Sequence, residues 1–202
     1  MTRPSSIAND PDIWTSLDLH SLRVTEDQFY RLCRDNPDFR LELTAEGELI
    51  VMPPAFPGTG WREFKINQRL ANWAEKDGTG IGFSPSSIFT LPNGAKRAPD
   101  ASWMSRSRWE SLSEEQRERK FSAICPDFVV ELRSRSDRLY QLRKKMEEYI
   151  ENGARLGWLL DPLQERVYVH RPGRTVERLE NPEYVSGEDV LPGFKFNFEE
   201  IV

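Results

Sequence analysis

Residues 124–134 read ICPDFVVELRS, and the placement of that stretch decides the fold. Its centre, Phe128 to Leu132, is almost continuously apolar, the pattern of a strand covered on both faces. A strand covered twice needs helices above and below it, and the flanking sequence offers them. On the C-terminal side, Leu139, Leu142, Met146, Tyr149 and Ile150 recur at helical spacing, with Asp137 the expected cap and Gly153 a stop just past Asn152. RLGWLLDP (155–162) then reads as another strand closed by a turn, and RVYVHRPG and the run towards VLPGFKF as edge strands.

Working towards the N-terminus, APDASWM (98–104) reads as a strand, followed by a charged helical stretch from Ser105 to Lys120. IGFSPSSIFTLPNG suggests short strands ending in a Pro-Asn-Gly turn. Arg62 to Lys76 is an amphipathic helix carrying Phe64, Leu70, Ala71 and Trp73 or Ala74 on its apolar side, with Gly78 after it. MPPAFPGTG breaks the chain before that helix. Phe39 to Met52 forms a hairpin about TAEGE, and a helix is expected from Ser21 to Asn36 with Thr25 as cap and Phe29, Leu32 and Cys33 on one face. The first residues form a surface arm anchored at Trp14. Residues 1–202 therefore read as a single mixed α/β domain, α+β in character, around one sheet.

Composition narrows the chemistry. Of 202 residues, 38% are apolar and 30% charged, and the net charge of -5 excludes a globally basic nucleic-acid binder while leaving room for a local patch. Two cysteines, Cys33 and Cys125, cannot build a disulfide framework. With only two histidines, His20 and His170, there is little material for Ser-His-Asp catalysis or a Cys/His zinc site, and H-E-x-x-H is absent. No apolar run approaches the roughly 18 residues of a membrane span and no leader is visible, so a cytoplasmic protein without a membrane partner is expected.

Two acids stand out. Glu131 lies between Val130 and Leu132 in the most apolar strand, where a carboxylate costs several kcal/mol unless it meets a cation, a metal or donors. Asp100 lies between Pro99 and Ala101 in a second strand. Acids on adjacent strands are one way to build a site for Mg²⁺, which takes oxygen ligands. On the following helix Lys145 flanks the apolar stripe one turn before Tyr149, whereas Lys144 points away from it. Alternatives stand beside each reading: an outward-facing or Arg-paired Glu131, a turn aspartate at Asp100, and a snorkelling surface lysine at Lys145.

Pro99-Asp100, Glu131 in FVVELRSRSD and the helix leading into GWLLDP together resemble the PD-(D/E)XK nuclease superfamily, and more closely its Uma-two restriction-endonuclease branch. ELIVMPP, FTLPNGAKRAPDASWM, RWESLSEEQRE and CPDFVVELRS carry the likeness across about residues 39–173. The resemblance implies a restriction-endonuclease-like αβββαβ core, here with an N-terminal helical arm and C-terminal edge strands, and a Mg²⁺ (or Mn²⁺) site hydrolysing phosphodiesters in nucleic acid, by default DNA. It implies Asp100 and Glu131 as metal ligands with the Leu132 carbonyl as a third. Glu42 matches an acidic position that contacts the metal or its waters. Lys145 takes the lysine role, displaced onto the helix because Arg133 stands in the third motif position. Arg135 stands where relatives usually have proline.

Lys96 and Arg97, then Arg133, Arg135 and Arg138, then Arg143, Lys144 and Lys145 form basic clusters beside these acids in sequence, which predicts a basic rim around an acidic pocket for phosphate contacts. The alternative from another class is a catalytically degenerate nucleic-acid- or protein-binding protein on the same fold, which Arg133 and the acidic net charge favour. Trp61, Trp103 and Trp109 are candidate aromatics for a homodimer interface.

Overall fold

The structure, a computed structural model, describes residues 15–22, 24–52, 54–118 and 124–202; the Trp14 anchor lies outside these. In chain order, β1 (Thr15–Asp18) and a 3₁₀ turn (His20–Leu22) lead to α1 (Glu26–Asp35), β2 (Arg40–Leu43), β3 (Glu48–Met52) and α2 (Pro57–Asp77). Next come β4 (Gly80–Phe83), β5 (Phe89–Thr90), β6 (Lys96–Arg97), β7 (Ala101–Ser105), α3 (Arg106–Glu110) and α4 (Glu114–Glu118). The C-terminal part holds β8 (Phe128–Leu132), α5 (Leu139–Glu151), β9 (Leu156–Asp161), β10 (Arg166–His170), β11 (Glu177–Glu180), β12 (Tyr184–Ser186), β13 (Lys195–Asn197) and a final 3₁₀ turn (Phe198–Ile201).

The expected mixed α/β architecture is present, with its strands divided among sheets rather than gathered in one. A six-stranded sheet runs β11-β10-β9-β8-β7-β4, a five-stranded sheet β1-β3-β2-β6-β5, and β12 pairs with β13. In the larger sheet β8 and β9 are parallel and joined through α5, whereas β7 is antiparallel to β8. This crossover puts α5 against one face. On the opposite face Ile66, Leu70 and Ala74 of α2 join Phe128, Val130, Leu132, Trp158, Leu160 and the C-terminal Phe194, Phe196 and Phe198 in an apolar layer. The α5 face is built from Val129, Leu142, Met146, Tyr149, Leu159 and Tyr168. Strand alternation thus sends Phe128, Val130 and Leu132 one way and Val129 and Glu131 the other. Gly157 lets the helix come close, because a Cβ there would lie 2.4 Å from Met146 Cε.

Local signals explain the helix ends and correct several expectations. Thr25 caps α1 through the Gln28 amide, and Gln28 reaches back to the Thr25 amide, a complete capping box. The hairpin forms as expected, with Leu43 opposite Leu49 and Gly47 at φ +91° in its turn. By contrast α2 begins at Pro57, five residues before Arg62, because proline at the first helical position gives up no intrahelical hydrogen bond. Its buried stripe is Ile66, Leu70 and Ala74, whereas Phe64 is exposed. The charged stretch after β7 breaks into α3 and α4, with 119–120 outside the described residues. Asp137 does not cap α5: Arg138 holds the cap position, and Asp137 accepts from the Ser134 amide instead.

Candidate active site

A cavity of about 1000 Å³ opens where the C-terminal end of β8 meets the first turns of α2 and α5. Asp100, Glu131 and Lys145 all line it. Asp100 comes one residue before the Ala101–Val130 pair, its amide donates to Val130 O (3.0 Å), and its Oδ2 accepts from the Leu132 amide (2.8 Å). The register sets it beside Glu131 on the same face of the sheet. The two acids therefore converge.

Glu131 is buried, and its Oε1 accepts from Lys145 Nζ (2.9 Å) and the Tyr149 hydroxyl (3.1 Å). Lys145 and Tyr149 sit one turn apart on α5, so both reach the same oxygen. Lys145 is buried too, and its ammonium also meets Glu42 Oε1 at 2.8 Å. Glu42 accepts from the Ala98 amide (2.9 Å) and, through Oε2, from Arg97 Nη1 (3.1 Å). Arg97 donates its Nε to Glu148 (2.6 Å), which in turn accepts from Asn93. Glu131, Lys145, Glu42, Arg97 and Glu148 thus form one chain of alternating charge running from the cavity through the buried Glu42 to the partly exposed Glu148.

Electrostatics rank these acids. Burial alone would push Glu42 up, but Lys145 and Arg97 hold it below the ordinary carboxylate range. Burial pushes Glu131 up to about 8 despite Lys145, with Asp100 and Glu42 as like-charged neighbours. Burial also opposes the charge on Lys145, and Glu131 and Glu42 outweigh it, so the ammonium stays protonated. Glu131 and Glu42 share Lys145, but Arg97 serves Glu42 as well, so Glu131 is the buried acid still short of positive charge.

The structure divides the other candidates. Glu42 is fully buried and holds Lys145 from behind; it does not border the cavity. Lys96 and Arg97 are not rim residues. Lys96 is buried, bonded to Thr90 and set over the Phe29 ring, and Arg97 is spent on Glu42 and Glu148. Adjacency in sequence misleads here because β6 belongs to the other sheet and turns both side chains inward. Arg133 and Arg135 line the cavity, Arg133 with Nη1 on Asp161 (2.7 Å), whereas Arg135 and Arg138 are exposed. Arg143 and Lys144 face outward over Tyr168 and Tyr140. Of the three tryptophans, Trp61 is exposed, Trp103 is core, and Trp109 packs edge-on against Phe83.

Two residues join the site that the sequence reading passed over. Glu63 of α2 lines the cavity, and burial, together with Asp100, pushes it up to about 7 against the pull of Arg40. Arg40 of β2 also lines it, with Nη2 3.4 Å from Asp100 Oδ1 and Nη1 3.8 Å from Glu63 Oε1. A signal for Glu63 existed: it is three residues before Ile66 and seven before Leu70, in line with the buried stripe, where a carboxylate is out of place.

The donor set suits a hard divalent ion. Asp100, Glu131 and the Leu132 carbonyl offer only oxygens, and Mg²⁺ is commonly held by one or two carboxylates with waters completing its shell. Among the described residues no three His, Cys, Asp or Glu side chains group as a metal site, so a pair of carboxylates is what the fold offers. A divalent ion beside Glu131 would relieve the shortage of positive charge there.

Residues 26–199 match the Uma2 (Uma-two) family, described as "putative restriction endonuclease". The chain belongs to this family. A similar solved structure is the crystal structure of a "putative nuclease belonging to DUF820" from Anabaena variabilis ATCC 29413, with a TM-score of 0.73 over 88% of this chain and 97% of that one at 20% identity. That likeness establishes a shared fold. No curated protein matches the chain. No described helix is long and apolar enough to cross a membrane.

Proposed function

We propose that this chain is a metal-dependent nuclease that hydrolyses phosphodiester bonds, with DNA as substrate and Mg²⁺ or Mn²⁺ as cofactor. The observation that carries the reading is the convergence of Asp100 and Glu131 on one face, bordering one cavity, with Lys145 at 2.9 Å from Glu131. Family membership and the nuclease-like fold support it. Asp100, Glu131 and the Leu132 carbonyl would hold the ion, which would supply neutralisation of phosphate charge and a more acidic water.

Lys145 stays protonated, so it is not a base. Two of its three N–H groups go to Glu42 and Glu131, and the third is left to steady charge developing on the phosphate. Being buried and held from behind, it needs no rearrangement to do so. Arg135 and Arg138, exposed at the entrance to α5, and Arg133 in the cavity wall provide phosphate contacts. A homodimer would use the exposed Trp61 and Phe64 of α2, one helical turn apart.

The test is cleavage of plasmid, single-stranded DNA and RNA in Mg²⁺ or Mn²⁺ by the wild type, Asp100→Ala and Glu131→Ala. Each substitution is expected to lower the rate at least about a hundredfold, and chelation to abolish it. Equal cleavage by all three proteins assigns the activity to a contaminant. No cleavage, with nucleic acid still bound, makes the protein a binding module.

A further inference from the structure

Arg40 is an unusual neighbour for an acidic cavity. It is the first residue of β2, so the hairpin sheet rather than the sheet of Asp100 and Glu131 delivers it. Its guanidinium stands between two carboxylates of the cavity, Nη2 at 3.4 Å from Asp100 Oδ1 and Nη1 at 3.8 Å from Glu63 Oε1. Nη2 also donates to the backbone carbonyls of Pro85 (3.2 Å) and Ala98 (3.4 Å). Backbone carbonyls thus help to hold the group in place, and its charge is permanent.

We propose that Arg40 is a built-in cation standing where a second divalent ion would bind, so that the cavity takes a single ion at Asp100 and Glu131. The inference rests on the metal reading above and deepens it. Two-ion phosphodiester sites hold their ions about 3.5–4 Å apart on shared carboxylates. The carboxylate that could share a second ion with Asp100 on this side is that of Glu63, and the guanidinium lies between the two. It keeps Glu63 from closing on Asp100, in line with the lack of any three-carboxylate group among the described residues.

Charge balance leads to the same count. When all are ionised, Glu42, Glu63, Asp100, Glu131 and Glu148 outnumber Arg40, Arg97 and Lys145 by two negative charges. One divalent ion neutralises that excess, whereas two would leave these eight ion-paired residues with two surplus positive charges.

Calorimetric titration of the full chain with Mn²⁺ tests this. The wild type is expected to bind one ion per chain, Arg40→Met and Arg40→Gln two, and Arg40→Lys, which keeps a cation, one. Mn²⁺ should also raise the melting temperature of Arg40→Met more than that of the wild type, because only the variant has two sites to fill. Two ions in the wild type overturn the proposal. So does one ion in a folded Arg40→Met or Arg40→Gln protein, or no Mn²⁺ binding by any of them. Absence of cleavage with the one-to-two change intact would instead refute the nuclease reading and leave the role of Arg40 standing.

Discussion

The two faces of the six-stranded sheet are made from the same strands and share almost nothing else. Towards α2, β8 and β9 present Phe128, Val130, Leu132, Trp158 and Leu160, and the layer is closed by aromatic side chains, with Trp158 stacked on Phe194 at 5.7 Å between ring centres. Towards α5 the same two strands place Glu131 and Asp161, both buried, and β10 adds buried His170. One face gains stability from apolar area alone, at about 25 cal/mol per Å². The other gives up part of that gain to hold charges, which persist because each has a partner: Glu131 with Lys145, Asp161 with Arg133. Buried charge and the aromatic layer are separated by the two-residue period of a strand.

Three substitutions challenge that contrast. The largest effect is expected for Lys145→Met, which leaves buried Glu131 without a cation and Glu42 with Arg97 alone. It should cost about 3–5 kcal/mol in urea unfolding, and adding Glu131→Gln should recover part of it. A loss under about 1 kcal/mol would mean that the buried chain contributes no more than surface ion pairs do.

Next comes His170, whose imidazole is held down to about 4 by burial and by Arg143. The unfolded chain takes up this proton near 6.5, before the folded chain does. Stability is therefore fully present above that pH and falls as pH drops towards 4, by up to about 3 kcal/mol, then levels off. His170→Phe should remove that part of the slope, read by thermal melts from pH 7 to 4; an unchanged slope assigns it to the carboxylates. The smallest effect belongs to the apolar face. Ile66→Val should cost about 1 kcal/mol, by the same amount at pH 5 and pH 8, with unchanged cleavage.

Much of this arrangement could be read from the sequence because burial leaves strong local marks. FVVEL announces a doubly covered strand, and a lone glutamate inside it is conspicuous; Lys145 is found because its place beside the α5 stripe separates it from Lys144. What escaped reading depends on phase and on long-range pairing. Taking Phe64 as an inward residue rotates α2 and turns Glu63 towards solvent, which hides it. Lys96 and Arg97 look like a basic rim until β6 is placed in the hairpin sheet, where both are enclosed. Arg40 reaches Asp100 from sixty residues away, and nothing local to either residue marks that contact.

The hairpin sheet carries neither Asp100, Glu131 nor Lys145, yet both Glu42 and Arg40 come from its β2 strand. A fragment starting after Met52 would retain Asp100, Glu131 and Lys145. It would nevertheless lack one of the two carboxylates that hold the lysine and the guanidinium that stands between two acids. The acids that line the cavity and the residues that brace it thus come from different sheets of this protein.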